Sequence, residues 1–353
     1  MSKNRMTSMQ RVLTALDHKE PDRVPLFLLL TMHGAKELGL GIKEYFSRSE
    51  YVAEGQLRLR KKYGGDCLYG FFYASVEVEA FGGEVIYYDD GPPNSGAPFI
   101  SKLSMIYDLK APVVRKTPCL IKVLDAIGLM KKTIGNEVPI IGVVMSPFSV
   151  PVMQLGFEGY LELIYNEPEL FDRLMVVNQK FCIEWANAQL AAGATAICYF
   201  DPVSSPTIIP RELYLKTGFF VAKQTLGKIK GPTATHLASG RALPIIDDLA
   251  ETGTAAVGVS VEEDLEMLKK ACRGKLSVLG NLNGLDMIHW SRRKAAMVVK
   301  KTIADAAGGG GFILSDNHGE IPYQVPDDVL LAVADAVRTY GNYPLNLQVN
   351  DNG

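Results

Sequence analysis

Residues able to bind a ligand or move a proton recur in this chain at one kind of place, the ends of short apolar or β-branched runs. Asp201 follows the run at residues 194–200, and His236 sits near the end of 233–237. Asn281 and Asn283 follow 277–280, and Asp316, Asn317 and His318 follow 311–314. Met32 with His33, then Tyr73, Ser146 and Ser260, stand at the ends of 24–31, 67–73, 139–145 and 255–259. An imidazole donates or accepts a proton near neutral pH, and amides beside carboxylates offer donors and acceptors side by side. One such residue is ordinary loop capping. A set of them on one rim is a site. A catalytic zinc commonly takes three protein donors, and the residue two beyond His236 is Ala238, neither Cys nor His. No resident metal is expected.

The eight runs must be strands for these residues to converge. Amphipathic segments lie between them. The clearest covers 167–192, where Leu170, Leu174, Val177, Phe181, Trp185 and Ala188 recur at steps of three and four, with Pro168 at its start and Gly193 at its end. Others cover 262–272 and 292–307. Strands alternating with helices predict parallel pairing, and eight of them predict a closed (β/α)8 TIM barrel in the α/β class. An open doubly wound sheet is the alternative, but no glycine triad follows the first run. Residues 7–18 predict a helical extension before the barrel, and 82–118, rich in Gly, Pro and Tyr, predict an inserted excursion after the second strand, a hairpin or lid. No domain boundary is evident, so 1–353 reads as one barrel domain. In such barrels the active site lies at the C-terminal strand ends. The glycines at 308–311 precede a strand and predict a turn at the opposite end, not a phosphate cradle. His18 and His289 have no rim position, and Cys198, inside a strand, reads as a small buried hydrophobe.

The formal net charge is −2, which provides no broad basic field for nucleic acid or an anionic membrane. The apolar run at 26–30 is too short to span a bilayer and has no signal-peptide flanks. Five cysteines without a close pair suit reduced thiols, hence a cytoplasmic location.

Several motifs carry a resemblance. Lys19-Glu20-Pro21-Asp22-Arg23-Val24-Pro25 resembles the entry to strand one in the uroporphyrinogen decarboxylase superfamily. Gly142-Val143-Val144-Met145-Ser146-Pro147-Phe148-Ser149 resembles its strand-three signature. Phe200-Asp201-Pro202, Thr235-His236, Leu279-Gly280-Asn281 and Asn317-His318-Gly319 extend the match in order. The resemblance implies a (β/α)8 barrel and one of two chemistries. The decarboxylases carry arginines after strand one and an acidic residue after strand two. Here strand one continues as Leu26-Phe27-Leu28-Leu29-Leu30-Thr31-Met32-His33, and Phe71-Phe72-Tyr73-Ala74 brings no aspartate. Burying a multiply carboxylated tetrapyrrole without cations is costly, so decarboxylation is disfavoured.

The other branch comprises corrinoid-dependent methyltransferases. Thiol-methylating members carry His-x-Cys and a later Cys that bind zinc and activate a thiolate. This chain has His236-Leu237-Ala238, and His318 stands where the last Cys is expected. The chain therefore resembles the methylcorrinoid:tetrahydrofolate methyltransferases of glycine betaine demethylation. That resemblance implies methyl transfer from a methylated corrinoid protein to N5 of tetrahydrofolate, an acceptor with its own nucleophile. The corrinoid would arrive on a transient partner protein. Asn281, His318 and His236 are the expected catalytic residues. Asp201, Asn281, Asp316, Asn317, Tyr73 and Ser146 are the expected pterin contacts, with Arg211 a candidate for the glutamate tail. The alternatives are a zinc-dependent methylcobamide:thiol methyltransferase of the coenzyme M type, a uroporphyrinogen decarboxylase, or a non-catalytic tetrapyrrole-binding module.

Overall fold

The computed structural model describes residues 6–347. Nine short strands run in chain order: β1 Leu68–Tyr69, β2 Val85–Ile86, β3 Asn94–Ser95, β4 Ile140–Met145, β5 Ala196–Phe200, β6 Thr233–His236, β7 Ala256–Gly258, β8 Ser277–Leu282 and β9 Phe312–Asp316. Seven of them form one parallel sheet in the order β1-β4-β5-β6-β7-β8-β9. Helices connect these strands and cover the outer face, as parallel pairing requires. The result is the expected TIM barrel.

The barrel differs from expectation at its first strand. Residues 24–31 are extended but form no regular strand. A single parallel bridge joins Leu26 to Leu314. The Phe27 N–H donates to the Leu314 carbonyl (2.8 Å), and the Leu314 N–H donates to that of Pro25 (3.0 Å). On the other side the Asp66 N–H donates to the Leu26 carbonyl (2.8 Å). Pro25 has no N–H for a ladder, which breaks the run. The segment still closes the gap between β9 and β1.

Charge anchors this closing segment. Asp66, with 0% exposure, accepts hydrogen bonds from Ser8 Oγ (2.9 Å), Arg11 Nη1 (2.6 Å), Arg23 Nη1 (2.7 Å) and the Leu26 N–H (2.9 Å). Arg11 also holds Asp22 through Nε (2.6 Å) and Nη2 (2.7 Å). Asp22 and Arg23 belong to the Lys19–Pro25 motif, and Arg11 comes from the predicted N-terminal helix, which spans Ser8–Leu16. Thr7 caps that helix in a box with Gln10.

The other predicted helices are Pro168–Ala192, Leu265–Cys272 and Arg292–Ala306. The first buries Leu170, Leu174, Phe181 and Trp185. Asp264 and Ser291 cap the other two through their side chains. Two strands outrun their predicted ends: β8 continues to Leu282 and β9 to Asp316, so Asn281 and Asp316 lie within strands rather than beyond them. The 308–311 turn packs under the barrel as expected. A Cβ on Gly310 (φ +70°) would lie 2.3 Å from the Lys19 carbonyl oxygen. The 82–118 excursion holds the antiparallel β2–β3 hairpin and two 3-10 turns, Leu103–Tyr107 and Val114–Lys116.

Removing one member of the Asp66 cluster strands its buried partners. Asp66→Asn should destabilise the fold by about 3–5 kcal/mol, read by urea unfolding at neutral pH. A loss below about 1 kcal/mol would show that water replaces the carboxylate without penalty.

Candidate active site

A cavity of about 270 Å³ occupies the barrel interior toward the C-terminal strand ends. Strand alternation supplies its wall: Ile141, Val143 and Met145 from β4, Cys198 and Phe200 from β5, Leu279 from β8. Phe27 and Leu29 of the closing segment, with Tyr69 and Phe71, complete the apolar side. Polar groups gather at the rim: His236, Ser315, Asp316, His318 and Glu320. Pro92, Pro93 and Asn94 of the hairpin lie over the mouth, and Gln324 Nε2 ties the hairpin down by donating to the Asp90 carbonyl (2.8 Å).

His236 closes β6 beside Phe200 of β5, its register partner, and the two rings stack at 5.5 Å and 19°. The chain then turns sharply through Ala238 (φ +52°), whose N–H donates to His236 Nδ1 (3.0 Å). An Nδ1 that accepts carries no proton, so the neutral ring bears its hydrogen on Nε2. Burial, reinforced by His318, pushes the imidazole down to about 4. The ring leans over Gly258 of β7, where a Cβ would lie 2.3 Å from its Cδ2 atom. His318 Nε2 pairs with Asn283 Oδ1 (3.0 Å), and its Nδ1 pairs with Ser239 Oγ. Asn283 Oδ1 already accepts the Asp286 N–H (3.1 Å). His318 therefore donates through Nε2 and accepts through Nδ1. Burial lowers its basicity, against the pull of Asp286 and Glu262.

Two carboxyls face the same cavity. Burial raises Asp316 to about 7, against backbone N–H contacts led by Gly319 (3.2 Å to Oδ2). Burial also raises Glu320 to about 7, against bonds from Thr31 Oγ1 and the Met32 N–H (2.7 Å) to its Oε1, with Asp316 adding to the rise. Glu320 escaped the sequence reading. It lies four residues beyond β9, past the strand-end positions that reading examined. Its nearness to the Asn317-His318-Gly319 motif was the available signal.

The expected site residues divide. His236, His318 and Asp316 meet at the cavity. Asp201 and Ser146 do not line it. Asp201 is a fully buried knot accepting from Ser146 (2.5 Å), Ser149 (2.7 Å) and Ser204 (2.6 Å). Burial raises its carboxyl while those three hydroxyls oppose the rise. Tyr73 turns away, its hydroxyl donating to Glu79 (2.7 Å) and pairing with Tyr87 (3.0 Å). Asn281 donates to the Ser260 carbonyl (3.0 Å) and lines a separate groove with Asn283 and Trp290. Asn317 is wholly buried, with no partner on its side-chain amide. Arg211 is committed to Asp248 through two 2.7 Å bonds. His33 is buried against Tyr323, with both ring nitrogens unpartnered, and burial pushes it down to about 3. Cys198 is on the wall, its thiol pushed up to about 12 by burial.

The donor chemistry fits zinc poorly. A metal takes an imidazole lone pair, but His236 Nδ1 is occupied by a backbone N–H and its Nε2 carries the proton. Both nitrogens of His318 are engaged as well.

The whole-chain comparisons identify the family. The uroporphyrinogen decarboxylase (URO-D) family model matches residues 7–340, and the chain belongs to that family. Uroporphyrinogen decarboxylase of Xylella fastidiosa is 27% identical over 94% of this chain and 99% of its own length. Methylcobamide:CoM methyltransferase MtaA of Methanosarcina barkeri is 24% identical over 78% of this chain and 83% of its own. A methyltransferase from Methanosarcina mazei has the same fold, with a TM-score of 0.86 over 95% of this chain and 99% of that one at 20% identity. Among the described residues no helix is long and apolar enough to cross a membrane.

Glu77 tests the electrostatics away from the cavity. Its Oε1 accepts the Met145 N–H (2.8 Å), and burial raises the carboxyl to about 8. The folded state therefore holds a proton that the unfolded chain releases near its ordinary value. This stabilises the fold on the acid side and is lost as pH rises towards about 8. Glu77→Gln keeps the acceptor without the charge. Its thermal stability should exceed the parent's at alkaline pH, by at most about 1.4 kcal/mol per pH unit of the window, and match it near pH ~4. A pH-independent difference would contradict the assignment.

Proposed function

We propose that this chain transfers a methyl group from a methylated corrinoid protein to N5 of tetrahydrofolate, without a resident zinc, in one-carbon metabolism of the glycine betaine type. The methyl–Co(III) corrinoid supplies a methyl cation equivalent and keeps the bonding electron pair as Co(I). The observation that carries the reading is the locking of both rim histidines by hydrogen bonds, which leaves no paired nitrogen lone pairs to hold a metal for thiolate activation. An acceptor amine needs no such activation. It needs orientation against the methyl carbon and a place for its proton.

The apolar wall favours that chemistry by holding water away from N5 and the methyl group. His236 offers a fixed Nε2–H to a pterin acceptor atom. Asp316, Glu320 and Ser315 supply the remaining polar contacts, roles first expected of Asp201, Ser146, Tyr73, Asn281 and Asn317. Among the described residues no Arg or Lys lines the cavity, so it is poorly built for a multiply carboxylated tetrapyrrole.

The purified protein, given methylcobalamin and tetrahydrofolate without oxygen, should produce Co(I) in the visible spectrum and 5-methyltetrahydrofolate. Chelators should not slow it. Transfer only to a thiol, abolished by chelator, would replace this reading with zinc-dependent thiol methylation. Corrinoid binding without turnover to either acceptor would replace it with a binding role.

Docking of the corrinoid protein falls to the hairpin over the mouth, which exposes Tyr88 (48%) and Ile86 (39%). Whole-hairpin deletion would also remove Pro92, Pro93 and Asn94 from the cavity, so a point change separates the roles better. Tyr88→Ser should raise KM for the corrinoid protein about tenfold and leave the rate with free methylcobalamin unchanged. Equal losses in both assays would place Tyr88 in the acceptor site instead.

A further inference from the structure

We infer that Glu320 takes the proton from the acceptor amine and that Asp316 is its positioning partner. The inference rests on the amine-acceptor reading above. When N5 attacks the methyl carbon, the N–C bond forms and the Co–C bond breaks with its electron pair left on cobalt. The nitrogen then carries both a methyl group and a hydrogen, and that hydrogen must leave as a proton.

Hydrogen bonding excludes His236 and His318, two of the expected catalytic residues, from receiving it. His236 Nδ1 is filled by the Ala238 N–H, and its Nε2 already bears a hydrogen. His318 donates through Nε2 to Asn283 Oδ1, an oxygen fixed as acceptor by the Asp286 N–H, while Nδ1 is taken by Ser239. Asp201 is outside the cavity and saturated by three hydroxyls.

Glu320 has the opposite arrangement. Thr31 Oγ1 and the Met32 N–H both bind Oε1, which fixes the carboxylate plane. Both hydrogen bonds resolved at Glu320 end on Oε1, the Thr31 N–H also lies against the carboxyl, and the side chain is on the cavity wall. A carboxylate pinned through Oε1 on an apolar cavity is a proton acceptor held ready. Asp316 faces the same space from β9, and its negative charge favours protonation of Glu320. The other titratable groups around the pair are His236 of β6, His318 of the same loop, the Tyr45 and Tyr69 phenols and the Cys198 thiol of β5, all neutral near pH ~7 by the burial effects on each. After transfer the proton resides on Glu320 Oε2 and leaves to water when product departs.

The test compares methyl transfer from methylcobalamin to tetrahydrofolate across pH for the parent, E320Q, E320D and D316N. E320Q should lower kcat about 100-fold with KM for tetrahydrofolate little changed. E320D should restore part of the loss. D316N should move the acid limb of the kcat profile to lower pH, because loss of the neighbouring charge makes Glu320 easier to ionise. A purely structural role for Asp316 would not move that limb. Parental kcat in E320Q, or an unmoved limb in D316N, overturns the inference. A parent chain that methylates no amine overturns the functional reading instead. In that event infrared titration of the resting parent and E320Q decides the rest. A Glu320 carboxyl band that titrates near neutrality supports the poised acid–base group, and one already ionised well below neutrality overturns it.

Discussion

The buried carboxylate of Asp66 is the constraint on which the rest of the barrel depends. A parallel barrel must close, and here the closing segment has a proline where a ladder N–H is needed. Sheet hydrogen bonding there is reduced to the single Leu26–Leu314 bridge. Asp66 substitutes for the ladder by binding the Leu26 N–H directly while two arginines neutralise its charge. A single carboxylate with that many donors overcomes a desolvation cost that an isolated charge could not. The consequence reaches the site. The same segment carries Thr31 and Met32 to Glu320, so the anchor at one end of the barrel sets the orientation of a carboxylate at the other.

An apolar cavity also decides the protonation of whatever polar groups it contains. The side chains that wall it bury Asp316 and Glu320, and burial raises both towards neutrality against the backbone N–H groups around Asp316 and the Thr31 and Met32 donors at Glu320. The contrast with Asp201 is instructive. It is equally buried, but three serine hydroxyls oppose the rise and leave no free oxygen for chemistry. Buried carboxyls beyond β5 and at β9 thus differ in setting: one is a knot among serine hydroxyls away from the cavity, and the other faces the cavity. Their position relative to the cavity distinguishes them, and residue type does not.

That distinction explains what could be read from the sequence. The barrel was legible because its signals are local: short apolar runs at 140–145 and 196–200, and a buried stripe and terminal glycine along 168–192. The rim was legible because a barrel places strand ends together. His236, His318 and Asp316 follow from that rule. Tyr73, Ser146, Asp201 and Asn317 satisfy it equally, yet they turn into the wall, and only tertiary packing decides which way an end residue faces. Glu320 lay beyond the rule's reach. Its role depends on Thr31 and Met32, nearly three hundred residues earlier in the chain.

The turn after His236 shows how one substitution can redirect a site. Ala238 adopts a left-handed backbone conformation that costs a non-glycine residue about 1 kcal/mol. That geometry aims its N–H at His236 Nδ1. Where thiol-methylating members of the superfamily carry a cysteine, alanine provides no sulfur, and the backbone at that position instead fixes the tautomer of the histidine. A nitrogen held in that way presents a hydrogen to the cavity rather than a lone pair. The site is thereby suited to a ligand that accepts a hydrogen bond, with the carboxyls of Asp316 and Glu320 on the same cavity.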